Sequence, residues 1–316
     1  MIYNKNNLGD NVNKICENED CTVFEMHNDT GDGKMILYDV FPGISLMYND
    51  FYMEKTESKF ETPENIFCID HCREGRIQWN IKDDLFMYLK QGDLRIDDRD
   101  NHKKTFEFPI KHYHGITICF YLDKAEYSIK KALDGFPINI GSLKNKFLNK
   151  TDYFVLRSEK SIEHIFSELY SVPNDIKKQY FQIKILELLL YLSVIDISKN
   201  NEKPPYFYRS QVEKVKSIEK FITEDIEKHY TLDFLAKRFD ISLTSMKNCF
   251  KAIYGNSIYS YIRVYRINQA AIMLRHTKKS IAFIAGDVGY ESPSKFSVAF
   301  KDIMGKTPLE YRKSFL

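Results

Sequence analysis

Two hydrophobic periods divide the chain. Up to about residue 120, β-branched and aromatic residues come in short runs: MILYDVF at 35–41, ISLMYND at 44–50, NIFCIDH at 65–71, GRIQWNI at 75–81, DLFMYLK at 84–90 and ITICFYL at 116–122. Gly43, Gly75 and Gly92 sit between or beside them. Short strands punctuated by turn residues at this spacing predict a sandwich or barrel rather than a βαβ sheet. From about Asp152 the period lengthens. Ile162, Ile165, Phe166 and Leu169 recur at helical spacing, and a longer helix is predicted over 174–197. The run KNNEKPPYFYR, with Pro204 and Pro205, then breaks the pattern and marks a linker at 199–209. Everything after it reads as helix.

Composition narrows the picture only when taken by halves. With 43% hydrophobic and 28% charged residues in 316, the chain is too apolar to be mainly disordered. Its net charge of +2 says nothing about a partner. Residues 209–316, however, hold 19 Lys/Arg against 11 Asp/Glu, a net of +8, which leaves −6 for residues 1–208. A basic helical region behind a linker is an electrostatic footprint for double-stranded DNA. The polar N-terminus MIYNKNNLGD has no signal-peptide core, and the apolar stretch 185–195 is short and interrupted by Glu187. A cytoplasmic protein with its six thiols reduced is therefore expected.

The basic region repeats itself. Phe250/Phe300, Lys251/Lys301, Ile253/Ile303, Gly255/Gly305 and Tyr261/Tyr311 each lie 50 residues apart. Both copies read as helix, tight turn, helix. In the first, Thr231 caps a helix carrying Leu232, Leu235, Ala236 and Phe239, and Asp240-Ile241-Ser242 forms the turn. A second helix runs from Leu243 to just before Gly255. In the second copy the first helix covers 280–288, Gly289 serves the turn, and the second helix opens at Pro293. Met246, Phe250 and Ile253, and likewise Phe296, Phe300 and Ile303, point inward. The opposite faces carry Thr244, Ser245, Lys247, Asn248 and Lys251 in one copy, and Ser294, Lys295, Ser297, Val298 and Lys301 in the other. A helix-turn-helix offers its second helix to the major groove, where Asn pairs with adenine, Lys reaches guanine and Val touches a thymine methyl. One continuous helix of about 18 residues between the copies would span about 27 Å, close to one turn of B-DNA.

The stretches TLDFLAKRFDIS, MKNCFKAIYGNS, YIRVYRINQAAIML and SIAFIAGDVGYESPSKFSVAFKDIMGKTPLEYR resemble the AraC family of bacterial transcription regulators over residues 212–313. The resemblance implies two helix-turn-helix subdomains joined by a long helix on asymmetric promoter sites, with RNA polymerase as a partner. It places Thr244, Lys247, Asn248, Ser294, Ser297 and Val298 at base-facing positions. Where the family often carries Arg, this chain has Asn248 and Val298, which points to a more AT-tolerant site.

The same resemblance implies a small N-terminal barrel of cupin type, and Gln91-Gly92-Asp93-Leu94 looks like its middle. The fold expected is therefore α+β: a β-rich cupin-like barrel with helices, then an all-α domain with two helix-turn-helix motifs. The divisions are an effector-sensing domain at 1–150, a helical dimerisation or packing segment at 151–198, the linker at 199–209 and the DNA-binding domain at 210–316. Ile185, Leu186, Leu189 and Leu190 serve either a homodimer or internal packing. Trp79, Phe86, Tyr88, Phe106, Phe108 and Tyr121 alternate on the strands and could line a pocket for a small apolar or aromatic effector. His112 and His114 share one strand face, with His71, His102 and Cys72 as further candidates, but the carboxylate that a metal-binding cupin needs is lacking. Cys68 and Cys72 read as two buried thiols. No phosphate loop or nucleophile–base pair is present, so no metal, cofactor or catalytic residue is expected. The alternatives are a metal-dependent cupin enzyme fused to a DNA-binding domain, and a regulator without a ligand.

Overall fold

A computed structural model describes residues 8, 11–60, 65–82, 84–99, 104–149, 151–158, 160–197 and 206–315. Most of the expected linker, and His102, lie outside these. The chain forms two compact units, Met1–Tyr206 and Phe207–Leu316.

The first unit is built on antiparallel strands: β1 (Val12–Glu17), β2 (Thr22–Asn28), β3 (Gly31–Phe41), β4 (Ile44–Tyr52), β5 (Lys55–Ser58), β6 (Ile66–Lys82), β7 (Leu85–Lys90), β8 (Leu94–Asp97), β9 (Lys104–Glu107) and β10 (Tyr113–Tyr121). Helices α1 (Leu122–Ala132) and α2 (Ile140–Leu148), strand β11 (Tyr153–Leu156), and helices α3 (Lys160–Leu169) and α4 (Lys177–Val194) follow. The strands neighbour one another in the order β1-β2-β3-β4-β10-β6-β7, with β8 and β11 added beside the first half of β6 and β9 and β5 beside the second. The resulting α+β unit is a sheet curled into a half-barrel. Strand alternation gives it two apolar faces. Phe67, Ile69, Ile116, Ile118 and Phe120 face outward under Leu143, Phe147, Ile165, Phe166, Phe181, Ile185 and Leu189 of the helices. Phe24, Met35, Phe51, Cys68, Trp79, Leu89, Phe106 and Phe108 line the concave side.

The curl depends on one glycine. NIFCIDH and GRIQWNI, read from sequence as two strands, are a single strand β6, paired with β10 up to Gly75 and with β7 from Arg76. Gly75 has φ +85°, and a Cβ there would lie 2.1 Å from the His112 carbonyl oxygen, so only glycine lets the strand pass on without a break. Helices α1 and α2 were hidden for a different reason. The buried residues of α1, Leu122, Ala125, Ser128 and Ile129, are sparse, and its first residue continues an apolar strand.

Two further expectations change. Cys68 and Cys119 sit opposite each other in the β6–β10 register, 4.3 Å apart at Cα, and are disulfide-bonded rather than reduced. Cys16, Cys21, Cys72 and Cys249 are free, and burial pushes the Cys72 thiol well above its usual range. On α4, Ile185 and Leu189 are fully buried against their own unit, and Leu186 is partly buried there. Of the four, only Leu190 is exposed, and it is joined by Ile183 and Val194.

The second unit is helical: α5 (Arg209–Glu224), α6 (Leu232–Arg238), α7 (Leu243–Tyr254), α8 (Ile258–His276), α9 (Ile281–Asp287), α10 (Pro293–Met304) and α11 (Pro308–Lys313). Among the described residues, no helix is long and apolar enough to cross a membrane. Arg266 of α8 is buried and ties the unit together. Its guanidinium donates to the Lys228 carbonyl at 2.9 Å and to the Gly289 carbonyl at 3.4 Å, and His229 Nε2 donates to the latter at 2.9 Å. Gly289 has φ +78°, and a Cβ there would come within 2.8 Å of this guanidinium and of the Ile226 carbonyl oxygen. Gly289→Ala should therefore lower the thermal stability of the second unit by roughly 1–3 kcal/mol through strained backbone and a displaced Arg266. Calorimetry of the full chain checks this, and an unchanged transition would show that the turn tolerates a side chain.

Candidate nucleic-acid interface

The two helix-turn-helix copies close by the same local chemistry. Thr231 and Ser280 cap α6 and α9, accepting from the backbone N–H of Phe234 at 3.2 Å and Phe283 at 3.1 Å. Each first helix ends on a left-handed residue, Asp240 (φ 49°) in one and Gly289 in the other. The N–H groups of Ile241 and Tyr290 then return to the Ala236 and Ala285 carbonyls, at 3.1 and 2.8 Å. Ser242 and Ser292 cap the second helices, and Gly255 (φ 85°) and Gly305 (φ 73°) terminate them with N–H bonds to Lys251 and Lys301 at 2.9 Å.

Packing repeats as well. Phe250 meets Tyr261 edge to face at 5.4 Å, and Phe300 meets Tyr311 in the same way at 5.3 Å. Met246, Cys249, Phe250 and Ile253 bury one face of α7; Phe296, Ala299 and Phe300 bury that of α10, with Ile303 half-buried. The polar faces are thereby turned outward. Thr244, Lys247, Asn248 and Lys251 are exposed on α7, and Ser294, Lys295, Val298 and Lys301 on α10.

Two serines stand apart. Ser245 is half-buried with its hydroxyl 3.4 Å from Gln211 Nε2, and the Ser297 hydroxyl donates to the Pro293 carbonyl at 2.9 Å. A cation absent from the sequence reading joins the second face. Arg263 of α8 is ion-paired with Asp302 at 2.6 Å and borders the same surface notch as Ser294, Lys295, Val298 and Ala299. The sequence separation of 39 between Arg263 and Asp302 left no local pattern to reveal it.

In the first unit a cavity of about 840 Å³, its open mouth included, lies on the concave side of the sheet. Met26, Met35, Met47, Phe51, Phe106 and Phe108 are among its apolar walls, and Asn49, Asp70, Thr117, Arg95 and Arg99 contribute its polar part. Asp70 accepts from both terminal nitrogens of Arg99, at 2.7 and 2.8 Å, and from the Thr117 hydroxyl at 2.7 Å. Burial alone would raise its pKa, but Arg99, with Arg95 and Thr117, holds it at about 2. Trp79, Phe86, Tyr88 and Tyr121 are buried but do not line the cavity. Trp79 lies under the Arg95 guanidinium at 4.7 Å, and the Tyr88 hydroxyl donates to Gln78 at 2.7 Å.

The described candidate histidines are tied to other groups. His71 stacks on Phe166 at 4.1 Å, and burial lowers its pKa to about 3. His112 and His114 approach Asp50 at 3.8 and 3.4 Å. No cluster of three or more metal-ligating side chains occurs among the described residues.

A family model described as a helix-turn-helix domain matches residues 235–314. The chain is similar to the transcriptional activator RhaR of Mannheimia succiniciproducens, with 25% identity over 65% of this chain and 73% of that one. It is 32% identical to the regulatory protein SoxS of Salmonella typhimurium, over 31% of this chain and 92% of the relative. The chain belongs to the AraC family of transcription regulators. This AraC-family regulator also resembles the solved C-terminal domain of the response regulator AraT from Geobacillus stearothermophilus. That likeness has 29% identity and a TM-score of 0.31, and covers 32% of this chain and 84% of that one.

For this AraC-family regulator, Lys251→Ala or Lys301→Ala should weaken binding across sequences and reduce the log–log salt slope by about 1. Asn248→Ala should cost about 1–3 kcal/mol and relax one base position. Titrations at several salt concentrations test both. An Asn248→Ala variant with parental affinity and preference would show that the first reading helix is turned differently.

Proposed function

We propose that the chain is a cytoplasmic, sequence-specific regulator that binds asymmetric promoter DNA through α7 and α10 and acts with RNA polymerase under the control of an effector held by its front unit. The observation that carries this reading is the matched geometry of the two copies. Equal caps, equal turns and equal aromatic packing hold both polar faces, Thr244–Lys251 and Ser294–Lys301, outward on one helical unit. In this reading, residues 1–150 sense, 151–198 pack or dimerise, 199–209 link and 210–316 bind DNA. Lys247, Asn248, Lys251, Lys295, Val298 and Lys301 make the contacts, with Thr244, Ser245, Ser294 and Ser297 beside them.

The cavity supplies the sensing role. Its methionine and phenylalanine walls suit a small apolar or aromatic molecule, oriented by the few polar groups of Asn49, Thr117 and the Asp70–Arg99 pair. Such a ligand regulates only if it binds one arrangement of the protein better than the other. No catalytic role is assigned, because the relatives are regulators and His71, His112 and His114 are engaged with Phe166 and Asp50. For a homodimer, Ile183, Leu190 and Val194 form an exposed stripe on α4, at spacings that keep them on one helix face.

Native mass spectrometry of the full chain, as purified and with a duplex selected from a random pool, tests the reading. The expected result is a dimer, a small organic adduct without metal, and a specific DNA complex. An Ile183→Glu/Val194→Glu double variant should shift the mass to monomer while keeping the parental melting temperature, since both side chains are solvent-facing. A monomer at every concentration would contradict the dimer. A chelatable metal accompanied by turnover would contradict the sensor.

A further inference from the structure

The two reading faces differ where they should meet bases. At equivalent positions, α7 presents Asn248 and α10 presents Val298, and the residues after them, Cys249 and Ala299, are buried. Val298 is 70% exposed, an apolar β-branched side chain held out in the middle of a polar face. It does not stand alone. Val298 and the small Ala299 form the apolar floor of a notch walled by Ser294 and Lys295 of the same helix and by Arg263 of α8. Asp302, one turn beyond Val298, pairs with Arg263 and so keeps that guanidinium at the rim.

We propose that this notch is a thymine subsite, in which the second reading helix selects its base by the 5-methyl group. In the major groove, thymine alone offers a methyl group, and apolar side chains are what recognise it. The surrounding charge fits the same occupant. Lys295 flanks the notch and can neutralise a phosphate of the strand that carries the base, and Arg263 can donate to a second phosphate from its place beside Asp302, whereas an apolar protein partner would gain nothing from a charged rim. Asn248 in the first copy reads by hydrogen bonds instead. The two halves of the target should thus be recognised by different chemistry: an amide pairing in one and a buried methyl in the other.

The inference rests on the proposed sequence-specific binding, and its test separates the two. Duplexes are selected from a random pool with the full chain, and each thymine of the winning site is then replaced singly by deoxyuridine, which removes only the methyl. One replacement within the half contacted by α10 is expected to weaken binding about fourfold, the value of one buried methyl-sized group. Val298→Ala, which keeps only the Cβ of the contact, should shrink the difference between the thymine and uracil duplexes, while Asn248→Ala should retain it. Because Val298 is exposed, its variant should keep the parental melting temperature. No position sensitive to deoxyuridine, or a sensitivity that persists unchanged in Val298→Ala, would overturn the proposal while leaving the regulator standing. A chain that enriches no duplex would overturn the regulator reading and this inference together.

Discussion

The buried guanidinium of Arg266 is the constraint on which the DNA-binding unit turns. It projects from the helix between the two copies, and its partners are carbonyl oxygens: Lys228 ahead of the first copy and Gly289 in the turn of the second. A charge taken out of water and met only by dipoles is costly, and burial accordingly lowers the pKa of this arginine. The arrangement persists because the carbonyls are fixed by their own turns, one of which requires a glycine. A single side chain thereby links the start of one helix-turn-helix to the bend of the other across the axis of α8. Relative placement of the two reading helices is a property of this junction and of a 19-residue helix about 28 Å long.

Around that junction the duplication is conservative in its framework and free in its surface. Caps, left-handed turns and the phenylalanine–tyrosine contacts recur almost distance for distance, because each satisfies backbone groups or fills volume that both copies share. Nothing internal requires the outward residues to match, and they do not. One helix shows Asn248 and Lys247, the other Val298 and Lys295. The asymmetric target of the proposed function rests on that difference. The front unit obeys another economy. Its sheet is covered by helices on the convex side, which consumes Ile185 and Leu189, and is left hollow on the concave side, where the Asp70–Arg99 pair closes on itself at the edge of an apolar cavity.

Legibility in the sequence followed the range of the interactions. The two helix-turn-helix copies and the helix between them could be read almost to the residue, since caps, glycine stops and the 3.6-residue stripe are local signals, whereas α5 and α11 were covered only by the general helical pattern. Strands β3, β4, β7 and β10 were visible from their apolar runs, but the continuity of β6 was not, because it depends on a glycine chosen for a partner strand 38 residues away at Tyr113. Long-range pairing also explains the disulfide: Cys68 and Cys119 meet only once β6 and β10 are in register. For the cavity, alternation identified aromatic residues that point to one side of a strand. It could not tell Phe106 and Phe108, which border empty space, from Trp79 and Tyr88, which border neighbours. Arg263 escaped notice because its role is set by a partner on another helix.

The most direct test of the fixed-spacing account varies the DNA rather than the protein. Inserting five or ten base pairs between the halves of a selected site changes the phase or only the distance of the two grooves. If α8 and Arg266 fix the spacing of the two reading helices, both insertions should reduce affinity at least about tenfold, because neither keeps both contacts. Parental affinity after the ten-base-pair insertion would contradict the account. It would mean that the two copies are joined flexibly and read their half-sites independently.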